Sequence, residues 1–156
     1  MATIVKDLIE ISGIADNLPQ CPSIFKQFAV QETLVLPDVK PDIKQIIKIV
    51  AQIVINSTRV IQTPVGQSLE GQILTGFKLI VEGEIRQKIE YVADECTQSV
   101  HAAHFCVPFS TFIVLPSTYR LGTPVHVTGY IEDLCVEPVN ERSIFKNLIL
   151  FLDAAL

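Results

Sequence analysis

The sequence predicts an all-β domain, mainly an antiparallel, jelly-roll-like β-sandwich, with one short α-helix near residues 41–48. Three observations carry this. Residues 72–92 alternate apolar and polar side chains. Several further runs are rich in Ile, Val and Phe and are bounded by Pro or Gly. Only one stretch combines a helical apolar period with a helix-start signal.

The elements follow in order. Residues 1–25 read as an N-terminal arm, with the domain proper over 26–156. Ile4, Val5, Leu8, Ile9 and Ile11 fit either a helical or a strand period. Pro19 and Pro22 then make a loop. Residues 27–36 read as a strand. Pro41 suits a first helical position, Asp42 favours the positive end of a helix dipole, and Ile43, Ile46, Ile47 and Val50 fall on one helical face. Residues 51–62 are Ile- and Val-rich. In 72–92 the odd positions from Ile73 to Tyr91 are mostly apolar, and Lys78, Glu82, Glu84, Arg86, Lys88 and Glu90 occupy even ones. A straight strand of that length would span roughly 65–70 Å, so the run must bend, at Gly76 or Gly83. In 100–115, Ala103, Phe105, Val107 and Phe109 alternate and Pro108 points outward. Residues 125–136 change face near Asp133, which predicts a bulge. Residues 143–152 are apolar on both faces, with Phe145, Ile149 and Phe151 on one of them. Such a strand is buried twice or meets another subunit.

Composition narrows the function. The chain has 156 residues, 49% hydrophobic and 19% charged, with net charge −5. One domain with a full core fits that length. Mean hydropathy is +0.41, yet the longest unbroken apolar run is Leu148 to Leu152. A membrane helix needs about 20 such residues, so no membrane partner is expected. Lys and Arg form no basic stripe, so nucleic acid is not an expected partner either. Lys6, Asp7 and Glu10 interrupt the N-terminus, and no signal peptide is expected.

Catalytic chemistry is sparse. No Gly-rich phosphate loop, G-x-S-x-G or H-E-x-x-H is present. His101, His104 and Cys106 invite a metal reading. On a strand only His104 and Cys106 share a face, and a further ligand such as His126 would be needed. Asp94-Glu95 reads as a solvated turn. Cys106 beside His104 lacks a third group to orient a base. No enzyme activity, cofactor or metal is expected. The cysteines Cys21, Cys96, Cys106 and Cys135 contain no C-x-x-C. They are read either as packed thiols or as cross-links between chains. Cys21 and Cys96 lie in connections and are the stronger cross-link candidates; Cys106 and Cys135 lie within strands, where burial is an alternative.

Three segments carry a resemblance. LVLPDVKPDIKQIIKIVAQIVINSTRVI (34–61), LTGFKLIVEGEIRQKIEYVAD (74–94) and SVHAAHFCVPFSTFIVLP (99–116) resemble the SPOCS domain of clostridial spore-coat and spore-envelope proteins. The most specific matches are Lys40-Pro41-Asp42-Ile43, the G-x-K-L-I-V-E-G run at 76–83 and V-P-F-S at 107–110. The closing residues 130–152 resemble single-domain members associated with the exosporium.

The resemblance implies a β-sandwich module used for protein–protein assembly in spore envelopes, with no catalytic residues to carry over. It implies synthesis in the mother-cell cytosol without a signal peptide, and a final place at the spore surface, in exosporium or coat. Larger members add a peptidoglycan-binding LysM module, for which this chain has no room. The expected function is a self-assembling lattice or filament subunit, reinforced by disulfides between subunits. Its expected partners are copies of itself and other spore-envelope proteins. Ile4, Leu8, Phe145, Ile149 and Phe151 are the candidate interface residues. The alternative is a non-polymerising adaptor that binds a spore morphogenetic protein.

Overall fold

The computed structural model describes residues 2–156. Eight strands account for its regular structure: β1 (Ala2–Lys6), β2 (Ile9–Ile14), β3 (Phe25–Val35), β4 (Ile43–Gln67), β5 (Ile73–Ala93), β6 (Val100–Val114), β7 (His126–Pro138) and β8 (Ser143–Ala155). They form one sheet in the order β3-β8-β7-β2-β4-β5-β6, with β1 added on β2. Most pairings are antiparallel, but β2 pairs in parallel with β4 and, through Ile14 and Ile131, with β7. The expected all-β class therefore stands, as a single mixed sheet.

The two ends of that sheet meet. Phe28 of β3 and Phe109 of β6 lie with ring centroids 5.5 Å apart. The Phe112 ring takes the Lys26 ammonium at 4.3 Å and the Lys78 ammonium at 4.2 Å. The sheet is thus rolled, and side chains close the seam between its edge strands. Inside lie Ile49, Val81, Ile85, Ile89, Leu134, Ile144, Leu148 and Leu150 among others. Burying each such side chain contributes about 1.5–3 kcal/mol.

The helix expected at 41–48 is absent, and those residues open β4. The physical reason is a pair of bulges. Pairing with β5 shifts register between Ile43 and Gln45 and again between Ile46 and Lys48. Each bulge inserts one residue, so every third residue returns to the same face. Ile43, Ile46 and Ile49 are consequently all buried, while Ile47 and Val50 turn the other way. A bulged strand has imitated the apolar spacing of a helix. Pro41 and Asp42 are held in place instead of starting a helix. The Tyr91 hydroxyl donates to the Pro41 carbonyl at 2.8 Å, and the Asp42 carbonyl accepts from the Asp94 amide at 2.9 Å. Arg142 donates to the Asp42 carboxylate at 2.7 Å and to the carbonyls of Lys40 and Pro37 at 3.0 and 2.8 Å.

β5 follows its alternation closely. Leu79, Val81, Ile85, Ile89 and Tyr91 are buried, with Gly83 and Gln87 on the same face. Both expected bend positions have a reason. Gly76 has φ +105°, a left-handed conformation. At Gly83 a Cβ would collide with the Val54 carbonyl and lie 2.7 Å from the Phe109 ring. β4 shifts register between Ile55 and Ser57, opposite Gly83 and Glu82. On β7 the bulge expected near Asp133 is present, between Ile131 and Asp133. It lets both Ile131 and Leu134 reach the core.

The ambiguous N-terminal period resolves as strand. β1 and β2 form a hairpin, and Ile9, Ile11 and Ile14 belong to the core. Residues 9–14 are therefore part of the rolled sheet.

Candidate assembly surface

The four cysteines are free and exposed, and they lie on different elements. Cys21 sits in the loop between β2 and β3, with φ +51°. Cys96 lies in the connection between β5 and β6. Cys106 and Cys135, for which burial within a strand was an alternative, are both outward. The reason for Cys106 is parity: Ala103, Val107 and Phe109 face the core, so the residue at 106 cannot. Cys135 follows the buried Leu134 past the β7 bulge.

Each strand thiol has a carboxylate neighbour. The Cys106 thiol donates to the Glu84 carboxylate at 2.8 Å, and this contact pushes the thiol pKa up. The same hydrogen bond, followed by those from Arg86, lowers the Glu84 pKa. Cys135 Sγ lies 3.7 Å from Asp133. Asp133 in turn pairs with Lys6 of β1, which holds the carboxyl below its usual range. For Cys106 the thiolate is disfavoured, which makes it a poor nucleophile.

The histidines form no centre with Cys106. His101 Nε2 lies 3.3 Å from the Glu95 carboxylate and 3.1 Å from the Ser99 hydroxyl, and its ring stacks on Tyr91. Ser99 donates to Glu95 at 2.6 Å. Glu95 therefore organises the β5–β6 turn, with its pKa lowered first by Ser99 and then by His101. His104 is exposed on the side of Cys106. Among the described residues no group of three or more His, Cys, Asp or Glu stands together as metal ligands. No helix of the described residues is long and apolar enough to cross a membrane.

The five apolar interface candidates divide. Leu8, at the β1–β2 turn, is 81% exposed, and Ile4 is half-buried. Phe145 and Ile149 are half-buried on the outward face of β8. There the β3 ladder sets Thr33 and Ala29 beside them, and the β7 ladder sets Glu137 and Asp133. Phe151 is only 4% exposed, because Phe25 stacks on it at 5.5 Å and Tyr130 meets it edge-on at 6.1 Å. This chain's own aromatics already cover it.

Two polar residues were not singled out in the sequence. Lys146, on the core face of β8, is fully buried, and its Nζ has no hydrogen-bond partner. Burial pushes its pKa down to about 7. The signal was present: counting by two from Ile144 to Leu148 places residue 146 inside. Arg142, which clasps the 37–42 loop, had no such signal, since its partners lie about one hundred residues away.

Residues 42–139 match the family model described as SipL, SPOCS domain. No curated protein and no solved structure matches the chain. The matched region begins at the Asp42 held by Arg142 and extends through β7, so it covers most of the rolled sheet. With that span matched, the chain belongs to the SPOCS-domain family of spore-associated proteins.

Proposed function

We propose that this chain is a structural subunit of the spore surface, exosporium or coat, that assembles with copies of itself and catalyses nothing. The observation that carries the reading is the exposure of all four thiols on four separate elements. Free cysteines are among the most buried residue types, and a domain keeping four outside presents them to neighbours. Thiols on different elements link a subunit to more than one neighbour, as a lattice or filament requires. The outer surface of a spore meets an oxidising exterior in which disulfides persist.

Two further features support the reading. The outward side of β8 presents the half-buried Phe145 and Ile149 beside Ala29 and Thr33, bordered on the β7 side by Glu137 and Asp133, an apolar pair with a polar rim. The Glu84 carboxylate further lowers the small thiolate fraction of Cys106, which slows its exchange while the subunit is still in the cytosol.

Negative-stain electron microscopy of the recombinant protein tests the assembly, and gel electrophoresis without reductant tests the linkage. Ordered sheets or filaments that run as a ladder and collapse to monomer on reduction are expected. Particles that stay at the size of one domain would favour the adaptor reading, in which the domain binds a spore morphogenetic protein without polymerising. Assemblies that run wholly as monomer without reductant would remove the disulfides and leave the assembly.

A further inference from the structure

The turn between β1 and β2 contains only Asp7 and Leu8, because Lys6 pairs with Ile9. Two-residue hairpin loops of this type require positive φ at both positions, which is why Asn-Gly dominates them. Here φ is +49° at Asp7 and +68° at Leu8. A leucine in the left-handed region brings its Cβ against its own backbone, and this one is 81% exposed, so no packing offsets the strain.

The two strands that the turn joins are held unequally. β2 is anchored by Ile9, Ile11 and Ile14 in the core and by its pairing with β4. β1 has its ladder to β2, the half-buried Ile4 and the Lys6–Asp133 ion pair, while its Val5 is 69% exposed. A strained turn thus connects a fixed strand to one held mainly by backbone hydrogen bonds.

We propose that β1 is an exchangeable strand: the Asp7–Leu8 turn opens, and β1 of one copy takes the place of β1 on β2 of the next. This rests on the self-assembly reading and names its joint. The slot needs no new complementarity, because the incoming strand has the sequence and register of the outgoing one. Each ladder bond and the Lys6–Asp133 pair are remade between chains. The one local difference is that residues 7 and 8 leave the left-handed region, which favours the exchanged form; short strained hinge loops behave in this way. Reciprocal exchange closes a dimer, and exchange in one direction from copy to copy extends a chain.

The test uses the full-length protein, with assembly state measured by sedimentation across a range of concentrations. Asp7→Asn together with Leu8→Gly removes the strain from the closed turn. The assembled fraction should fall at least about fivefold, with no loss of thermal stability. Leu8→Pro cannot adopt φ +68° and should raise the assembled fraction. A second measurement locates the strand directly. Val5 and Glu10 face each other in register. With the native cysteines changed to Ser, one chain carrying Val5→Cys and a differently tagged chain carrying Glu10→Cys are unfolded together, refolded and oxidised. Cross-links between the two tags support exchange. If the turn variants assemble as the parent does, or no cross-link joins the two tags, exchange is overturned and self-assembly stands. If parent and Leu8→Pro chains both remain monomers at every concentration, both readings fall.

Discussion

Lys146 of β8 stands opposite Glu32 of β3 in the ladder, yet its ammonium nitrogen is buried without a hydrogen-bond partner. Desolvation dominates its titration, and the charge of Glu32 opposes it only in part. Its neighbour on the β7 side, Val136, offers no charge. The folded-state pKa lies near 7 against an ordinary 10.5. Between those values the unfolded chain binds one more proton than the folded one. Stability therefore rises with pH from about 7 to about 10.5, by up to about 4–5 kcal/mol, and the full deficit is present below pH 7. Lys146→Met, of similar volume, should stabilise the protein by about 2–4 kcal/mol at pH 7 and flatten this dependence. Chemical denaturation at pH 6.5 and 9.5 checks it. An unchanged slope in the variant would mean that Lys146 is not the titrating group.

Arg142 holds the β3–β4 connection through Pro37, Lys40 and Asp42 at once. The site is half-exposed, so the expected loss on Arg142→Ala is about 1–2 kcal/mol. Arg142→Lys should recover little of it, because a single ammonium cannot span three acceptors set in a fork. Asp42→Asn should cost less than Arg142→Ala, since two carbonyl contacts survive. Denaturant midpoints of the three variants establish the order.

At Gly83 the chain passes too close to Val54 and Phe109 for any side chain. Gly83→Ala should cost about 2–3 kcal/mol, which lowers the melting temperature by roughly 4–12 °C in a domain of this size. Gly66→Ala is the control, because a Cβ there meets nothing within 4 Å. Equal melting temperatures for the two variants would contradict the packing around Gly83.

All four thiols of the unassembled, reduced protein should react with an aromatic disulfide reagent without denaturant, because all four are exposed. Cys106 should be the slowest, since the Glu84 carboxylate raises its pKa. Glu84→Gln removes that charge and should speed Cys106 by about threefold for each unit of pKa released. The rate of the other three should not move. A Cys106 rate that ignores Glu84 would show that the contact does not govern its ionisation.

The alternation from Ile73 to Tyr91 determined by itself which side of β5 is core, and the change of face near Asp133 determined a bulge. Both follow from local chain geometry, since side chains on a strand alternate and an extra residue inverts the pattern. The family was legible for the same reason: its motifs are contiguous runs. The path of β4 was not. Ile43, Ile46 and Ile49 satisfy a helical period and a twice-bulged strand equally well, and pairing with Ala93, Tyr91 and Ile89 of β5, far along the chain, chose between them. The burial of Lys146, the clasp of Arg142 on Asp42 and the closing of β3 on β6 through Phe28 and Phe109 are contacts between segments distant in the chain. A pattern within one segment records which of its own residues share a face. Which partner that face meets is decided only when the sheet pairs and rolls.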